Sequence, residues 1–390
     1  MSEDDIVLCI NSGSSSLKFA IFSAGDEGEE RLADGSIDKA PDGAMRACLR
    51  KDDGRTERPV RDGEPKAALQ AALSLLDESG LPAPTLAGHR VVHGGHRHVS
   101  PERINPALIA SLRVLVPLAP LHLPAAIALI EAVAERSPTL PQVACFDTAF
   151  HSTLPEVASR LALPDRFVDA GVRRYGFHGL SYEYIMSLLG SSAPPRVVIA
   201  HLGNGASLVA VRDGRAVDTT MGLTPAGGIP MGTRTGDLDP GVLLFLARTM
   251  GVSLEEIQQV VDQQSGLMAI GGTPDMRILL ARSESDARAR LAVQIFGYSV
   301  RKAIGAFAAA LGGIDLVVFT GGIGEHSPAV REEACRGLEV FGIALDAAEN
   351  ARGEDIISAK ESRCTVRVIA TDEDRIVARH TRRLVRHASK

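Results

Sequence analysis

Residues 11–19 read NSGSSSLKF, a serine-rich turn set between the apolar runs IVLCI (6–10) and FAIF (19–22). Its glycine, serines and lysine have the composition of a phosphate-binding loop. The spacing differs from G-x-x-x-x-G-K-[ST], because Leu17 precedes Lys18 and Phe19 follows it. The second apolar run reads as a strand rather than a helix, so the turn is expected to close a hairpin. A second stretch, HLGNGASLVAV (201–211), has the same design: strand, glycine-rich turn, Ser-Leu, strand. Ser16-Leu17 falls on Ser207-Leu208 at an offset of 191 residues, close to half of the 390-residue chain. The pair predicts two similar halves, each opening on a hairpin whose turn faces a shared cleft. Two unrelated hairpins are the alternative.

The rest of the chain fits an α/β protein, with strand-like and helix-like runs alternating. Apolar β-branched runs recur at RVVIAHL (196–202), SLVAV (207–211), DLVVFT (315–320) and VRVIAT (366–371). Helices are expected over 67–78, 124–135, 181–189, 286–310 and 328–337. The length suggests about two or three domains of roughly 150 residues. A net charge of -6 argues against a nucleic-acid or anionic-membrane partner. The five cysteines are far apart and form no C-x-x-C pair, as expected of free, mostly buried thiols in a reducing compartment. The acidic start MSEDD has no basic or apolar leader segment, so no secretory signal is expected. The uncharged run 114–130 holds three prolines and a histidine, which predicts a buried loop and helix rather than a membrane span.

Four glycine-rich turns are expected directly after strands: NSGSSS, HLGNG (201–205), MGTRTGD (231–237) and TGGIGEHS (320–327). Successive backbone N–H groups in such turns can cradle an anion. The last also opens a helix, whose positive end suits phosphate. Polar residues in apolar settings add to this: Arg90 in GHRVVHGG, Asp147 in VACFDTAFH, His178 in YGFHGLS, Arg234 in MGTRTGD, and Asp372 and Glu373 in VIATDED. Each alone has a plain structural explanation. His178 could be a core histidine or a helix cap, Asp147 an N-cap, and Arg90 half of a structural ion pair. Together, two arginines, a histidine and carboxylates amid phosphate-type turns have the mixture that phosphoryl transfer requires: cations for the moving phosphoryl group and a carboxylate or amide for Mg2+.

In order along the chain, NSGSSSLKF, GHRVVHGG, APLH, FDTAFH, RYGFHG, HLGNGASL, MGTRTGDLDP, GGIGE and TDED resemble the motifs of the acetate kinase family, from residue 6 to about residue 378. The resemblance implies duplicated ribonuclease-H-like domains of the actin-like ATPase kind, with mixed sheets and an interdomain active-site cleft. It implies residues 1–149 plus about 375–390 as one domain and 150–374 as the nucleotide-binding domain. It also implies a cytoplasmic homodimer, ATP/ADP as co-substrate, Mg2+ (or Mn2+) as the metal, and reversible phosphorylation of acetate to acetyl phosphate. Propionate or butyrate kinase activity is the nearest alternative, then a non-carboxylate ATPase of the same superfamily. A sugar kinase would want a carboxylate base and a polar pocket.

Carried over by residue, the resemblance assigns Asn11 and Glu373 to the metal and Lys18 to a nucleotide phosphate. Arg90 is assigned to the acyl carboxylate, and Arg234 to the phosphoryl group and carboxylate. His178 donates to the equatorial phosphoryl oxygens. Asp147 sits beside the substrate; since a carboxylate nucleophile has no proton to lose at pH 7, we read Asp147 as an orienter of arginine or of metal-bound water. His201, Leu202, Gly203, Asn204 and Gly205 cradle phosphate. Asp275, Met276 and Arg277, with Gly322, Ile323, Gly324, Glu325 and His326, frame the nucleoside. Val92, Leu121, Phe177 and Pro225 line a pocket for the acyl methyl. Departures from the family pattern are Leu123, Leu180, Tyr182, Gly227, His326, Asp372 and Asp374. His326 bears on nucleotide preference, and Asp372 adds charge beside the metal ligand. The basic tail RHTRRLVRHASK is expected as a final helix folding back on the first domain.

Overall fold

A computed structural model describes residues 4–13, 17–39, 44–52, 54–60 and 65–387. The serine run Ser14–Ser16 lies outside the described residues, so the expected phosphate turn at that point has no structural account. The chain divides into two compact units: Met1–Ala149 with Asp372–Lys390, and Phe150–Thr371.

The first unit holds an eight-stranded sheet. Its strands are β1 (Asp5–Ser12), β2 (Leu17–Gly25), β3 (Gly28–Lys39), β4 (Met45–Lys51), β5 (Gly54–Val60), β6 (Leu86–Val91), β7 (Glu102–Arg103) and β8 (Gln142–Phe146), in the order β5-β4-β3-β2-β1-β6-β8-β7. The second holds β9 (Arg196–Leu202), β10 (Ala206–Arg212), β11 (Arg215–Thr219), β12 (Leu316–Thr320) and β13 (Thr365–Val368), in the order β11-β10-β9-β12-β13.

The half-chain repeat is real in this topology. In each sheet a first strand pairs antiparallel with the second, the second antiparallel with the third, and the first parallel with the fourth. The fourth pairs parallel with the fifth. Thus β1, β2, β3, β6 and β8 correspond to β9, β10, β11, β12 and β13. The mixed sheet of a duplicated ribonuclease-H-like fold has this order.

The central strands are buried on both faces, which is why they read as nearly unbroken apolar runs. Alternation along β1 sends Leu8 and Ile10 into a core with Phe19, Ile21 and Ile37, covered by the helices Pro65–Glu78 and Leu123–Arg136. Each such side chain contributes about 1.5–3 kcal/mol on burial. Cys9 faces the other way, its thiol donating to the Asp374 carbonyl at the start of the final helix, Glu373–His387. That helix packs so closely on β6 that a Cβ at Gly88 would lie 2.4 Å from Thr381 Oγ1 and 2.5 Å from Val377 Cγ1. Its arginines are anchored to the sheet's carboxylates: Arg379 to Glu29, Arg382 to Asp26 and Arg386 to Asp5. Three arginines of the basic tail thus meet acidic partners within their own unit.

In the second unit, Tyr182, Ile185 and Leu189 of the helix Gly179–Leu189 pack on Val197, Ile199, Val209 and Val318. The long helix Ala287–Leu311 packs against β9 and β10. Asp286 caps its start by accepting from the Arg288 and Ala289 N–H groups, and Gly312 at φ 69° ends it. The run 114–130 forms the end of one helix, a 3-10 turn and most of the helix Leu123–Arg136. No helix among the described residues is long and apolar enough to cross a membrane.

Two expectations need correction. MGTRTGD does not follow a strand directly; β11 ends at Thr219, and Met231 to Asp237 lie in the irregular stretch between it and the helix Pro240–Arg248. The run VRVIAT forms a strand only over Thr365–Val368, because Ile369 pairs singly with Phe319 before the chain turns away.

Candidate active site

Polar side chains converge at the ends of the central strands in each unit. In the first, parallel pairing of β1 with β6 sets Asn11 beside Arg90, and antiparallel pairing with β2 sets it opposite Lys18. Asp147 follows β8, and its N–H donates to the Val91 carbonyl. Arg90 Nε donates to Asp147 Oδ1 at 3.0 Å and Nη2 to Oδ2 at 2.6 Å. Arg90 Nη1 donates to Asn11 Oδ1 at 3.0 Å and lies 3.5 Å from Glu373 Oε2. The Asn11 amide in turn donates to Glu373 Oε2 at 3.4 Å. Asp147 is 0% exposed. Burial by itself would push the Arg90 guanidinium down, but Asp147 and Glu373 more than reverse this and hold it above its ordinary value. The structure therefore brings together four sequence-predicted residues, Asn11, Arg90, Asp147 and Glu373. Val92 is buried two positions past Arg90, Leu121 is half-buried, and Lys18 is exposed on β2.

Beside this group, Asp372 pairs with Arg31 at 2.5 Å and with Arg375 at 3.1 Å. Burial, against the pull of Arg31, raises Asp374 to about 6. The two departures from the family pattern in TDED thus have local partners.

The second unit gathers its polar residues around the turn between β9 and β10. His178 is the N-cap of the helix Gly179–Leu189 and takes φ 57° and ψ 25°. Among the described residues three non-glycines have positive φ. Asp52 and Asp213 sit in hairpin turns; His178 does not. Such a backbone costs on the order of 1–3 kcal/mol and persists only where its surroundings impose it. Here the imposition is visible. His151 Nε2 donates to the Phe177 carbonyl at 3.0 Å. The His178 ring stacks on His201, centroids 4.3 Å apart and planes 18° from parallel. His178 Nδ1 meets Ser207 Oγ at 2.8 Å.

His178 and Arg234 reach the same point beside the turn: a Cβ at Gly205 would lie 3.2 Å from His178 Nε2 and 3.5 Å from Arg234 Nη1. Only glycine leaves that space open. Arg234 is buried, and its Nη1 donates to the Pro225 carbonyl at 3.2 Å. The Gly232 N–H donates to the Asn204 carbonyl at 3.0 Å, tying the MGTRTGD loop to HLGNG. His201, Leu202, Gly203, Asn204, Gly205, Pro225, Phe177, His178 and Arg234 are thus neighbours by chain or by these contacts.

The nucleoside candidates are placed differently. Asp275 caps the helix Met276–Arg282 and pairs with Arg277 at 2.6 Å, while the Met276 side chain is buried. Gly322, Ile323, Gly324, Glu325 and His326 belong to the short helix Gly321–His326. At the positive end of this helix, where the sequence suggested a phosphate, the structure places a carboxylate. Glu325 folds back and Oε1 accepts from the Gly321 N–H at 2.8 Å, from Thr320 Oγ1 at 3.3 Å and from the Thr371 N–H at 3.1 Å. The carboxylate thus takes up the Gly321 N–H at the start of this helix. His326 is exposed.

Residues that the motif reading passed over complete this site. Tyr182 Oη lies 2.5 Å from Ser207 Oγ. Ser181 Oγ lies 2.9 Å from His201 Nδ1 and accepts from Thr371 Oγ1 at 2.8 Å. The signals were present in the sequence: Tyr182 follows His178 by four, one helical turn, and Ser207 pairs with His201 across the β9–β10 hairpin.

No cluster of three or more His, Cys, Asp or Glu able to hold a metal occurs among the described residues. The donors at Asn11 and Glu373 are oxygens, with a single carboxylate. Such a set suits Mg2+, which keeps several waters and takes phosphate oxygens from its substrate.

Comparison with known proteins agrees with this picture. Residues 6–379 match the Acetokinase family. An acetate kinase of Rhodopseudomonas palustris is 43% identical over 393 residues, covering 97% of this chain and 98% of the relative. One of Streptomyces griseus is 45% identical over 397 residues, covering 97% and 96%. The crystal structure of a propionate kinase from Francisella tularensis superposes with a TM-score of 0.90 at 34% identity, covering 97% of this chain and 99% of that one. Porphyromonas gingivalis acetate kinase superposes with a TM-score of 0.86 at 37% identity, covering 98% and 100%. With strand order, motif order and whole-length similarity in agreement, the chain belongs to the acetokinase family.

Proposed function

We propose that this chain transfers the γ-phosphoryl group of ATP to acetate, reversibly, giving acetyl phosphate and ADP. The observation that carries the reading is the two pre-positioned arginines, Arg90 half-buried and Arg234 buried. Arg90 is held by Asp147 and Asn11, and Arg234 is held at Pro225 beside His178 and the glycine turn. Two anions must meet in this reaction, so the chemistry asks mainly for charge neutralisation and alignment.

In this reading an acetate oxygen attacks the γ-phosphorus in line. The bond from the γ-phosphorus to the β–γ bridging oxygen breaks, and ADP leaves with its electron pair. Arg90 orients the carboxylate, and Asp147 fixes the plane of the guanidinium rather than moving a proton. Arg234 and the Nε2–H of His178 take the phosphoryl oxygens where charge builds up. The Gly203–Gly205 turn receives the phosphates, with Asn204 near the γ position, and Lys18 reaches a phosphate from the hairpin of the first unit. Glu373 and Asn11 would hold Mg2+. The bound metal would neutralise phosphate charge. Asn11 Oδ1 faces Arg90, so direct coordination by Asn11 requires its amide to turn. Asp275 and Arg277, with the surface of the helix Gly321–His326, frame the nucleoside. Val92, Leu121, Phe177 and Pro225 are the apolar residues we assign to the acyl methyl.

The Francisella tularensis propionate kinase keeps a second reading in view. One methylene in an apolar pocket discriminates by only about 1–3 kcal/mol, so propionate is the competitor to measure. Trapping with hydroxylamine tests the reaction itself. A mixed anhydride gives the acyl hydroxamate, formed only when ATP, Mg2+ and the carboxylate are all present. ADP release with no hydroxamate would reject the proposal.

We further propose a homodimer formed through the second unit. The helix Pro240–Arg248 and its flanks leave Leu244 53%, Phe245 55%, Met250 61% and Leu254 74% exposed. A contiguous apolar surface of this kind is characteristic of protein–protein contact. None of the five cysteines is joined in a disulfide; thiols fit a reducing compartment, and on that basis we assign the protein to the cytoplasm.

A further inference from the structure

We infer that Tyr182 is a positioning residue for His178: acting through Ser207, it fixes which ring nitrogen of His178 carries the proton. Tyr182 and Ser207 are 0% exposed and His178 only 8%. The three polar atoms form a single line, with Tyr182 Oη 2.5 Å from Ser207 Oγ and Ser207 Oγ 2.8 Å from His178 Nδ1.

The direction of this line follows from acidity. A phenol has a pKa of about 10 and gives up its proton more readily than an aliphatic hydroxyl. Tyr182 therefore donates to Ser207, and Ser207 spends its one proton on Nδ1. That leaves Nδ1 as an acceptor and the ring proton on Nε2, the nitrogen that faces Gly205. The reverse order would strip Nε2 of its proton in a neutral ring and leave nothing to donate to an anion at the turn. The neighbours of the ring are one cation and two further imidazoles. Arg234 is the cation on the far side of Gly205, His201 is stacked on the ring, and His151 abuts the backbone at Gly176.

The same construction appears next to it. Thr371 donates to Ser181, and Ser181 meets His201 Nδ1. Ser181 and Tyr182 are consecutive in the first turn of one helix, so two stacked imidazoles are each held at Nδ1 by a hydroxyl that has a hydroxyl behind it. The Tyr182 phenol is the only acidic hydroxyl in either line.

The inference rests on the phosphoryl-transfer reading for its kinetic arm alone. The test uses the full chain with 15N-labelled histidine, the His178 signals being assigned by their loss in His178→Gln. The wild type should show the Nε2–H tautomer. Tyr182→Phe keeps the ring between Phe150 and His151 and should give a mixture of tautomers. In the same variant kcat should fall about tenfold, the effect of one buried hydrogen bond, with KM for both substrates changed by less than about twofold. Ser207→Ala cuts the line from the strand side and should mix the tautomers in the same way. An unchanged tautomer in both variants, or an unchanged kcat in Tyr182→Phe where the wild type turns over, would overturn the inference. If the wild type shows no carboxylate-dependent turnover and the tautomer still switches, the positioning role stands and the proposed reaction falls.

Discussion

Asp147 accepts the Nε–H and Nη2–H of Arg90 side by side, with its carboxylate fully buried and the guanidinium almost so. The pair spans two parallel neighbours in the sheet, β6 and β8, and turns the remaining Nη1 toward Asn11 and Glu373. A guanidinium fixed in this way needs no reorganisation when an anion arrives. The arrangement also implies a penalty for breaking it, since a buried charge that loses its partner is costly.

Asp147→Asn keeps the shape and removes the charge. We expect it to destabilise the chain by about 3 kcal/mol in denaturant titration. It should also lower kcat/KM for acetate by a hundredfold or more on the order of a lost electrostatic group. Wild-type stability together with wild-type kinetics would show that the pair is incidental.

Arg234→Ala is expected to separate chemistry from folding. Arg234 Nη1 is held by the Pro225 carbonyl, a neutral partner whose loss of the guanidinium exposes no new charge. Nucleotide affinity by calorimetry and the melting temperature should change little. Turnover should drop roughly a thousandfold, as for an arginine that acts on the transferring phosphoryl group. Near-normal kcat would remove Arg234 from the mechanism.

Much of this was legible in the sequence. β1, β2, β9, β10 and β12 are apolar because both faces of each strand are covered, and their turns carry the glycines. Arg90, Asp147 and Glu373 stood out as charged residues at the ends of apolar runs. The strands β3, β4 and β5 did not. In β3 and β4 only single apolar residues, Ala33, Ile37, Ala47 and Leu49, reach the core, and β5, GRTERPV, is exposed along nearly its whole length, so no apolar run marks any of the three. The return of the Glu325 carboxylate to its own helix start was not legible either, because GGIGE shows a helix start but not the side chain that folds back onto it. The Tyr182–Ser207–His178 line joins a helix to a strand, a contact that no local pattern encodes.

Acid should destabilise the chain through two buried histidines. Burial lowers His89 and His151 from 6.5 to about 4 each, although each ring also donates a hydrogen bond, to Gln142 and to the Phe177 carbonyl respectively. The unfolded chain therefore binds these protons first, and stability falls as pH drops from 6.5 toward 4, by about 3 kcal/mol per histidine. Asp374, raised to about 6, works in the opposite direction over part of that window. His89→Gln retains an amide donor and loses the titration. Its stability should change by about 3 kcal/mol less than wild type between pH 6.5 and 4; an identical pH dependence would contradict the assignment.

The apolar surface of the helix Pro240–Arg248 should be an interface. Light scattering of the wild type is expected to give a dimer. Phe245→Glu, which places a charge where Phe245 is 55% exposed, should give a monomer at micromolar concentration. A monomeric wild type, or a dimer indifferent to the charge, would refute this surface.

The central claim is that a carboxylate is the phosphoryl acceptor. The most direct measurement is ADP formation, by coupled assay, with ATP and Mg2+ plus acetate, propionate, butyrate or no carboxylate. We predict turnover that requires a carboxylate, is highest in kcat/KM for acetate and falls with chain length. A rate in the blank equal to that with acetate would contradict carboxylate transfer altogether, and a kcat/KM for propionate at or above that for acetate would contradict the assignment of substrate.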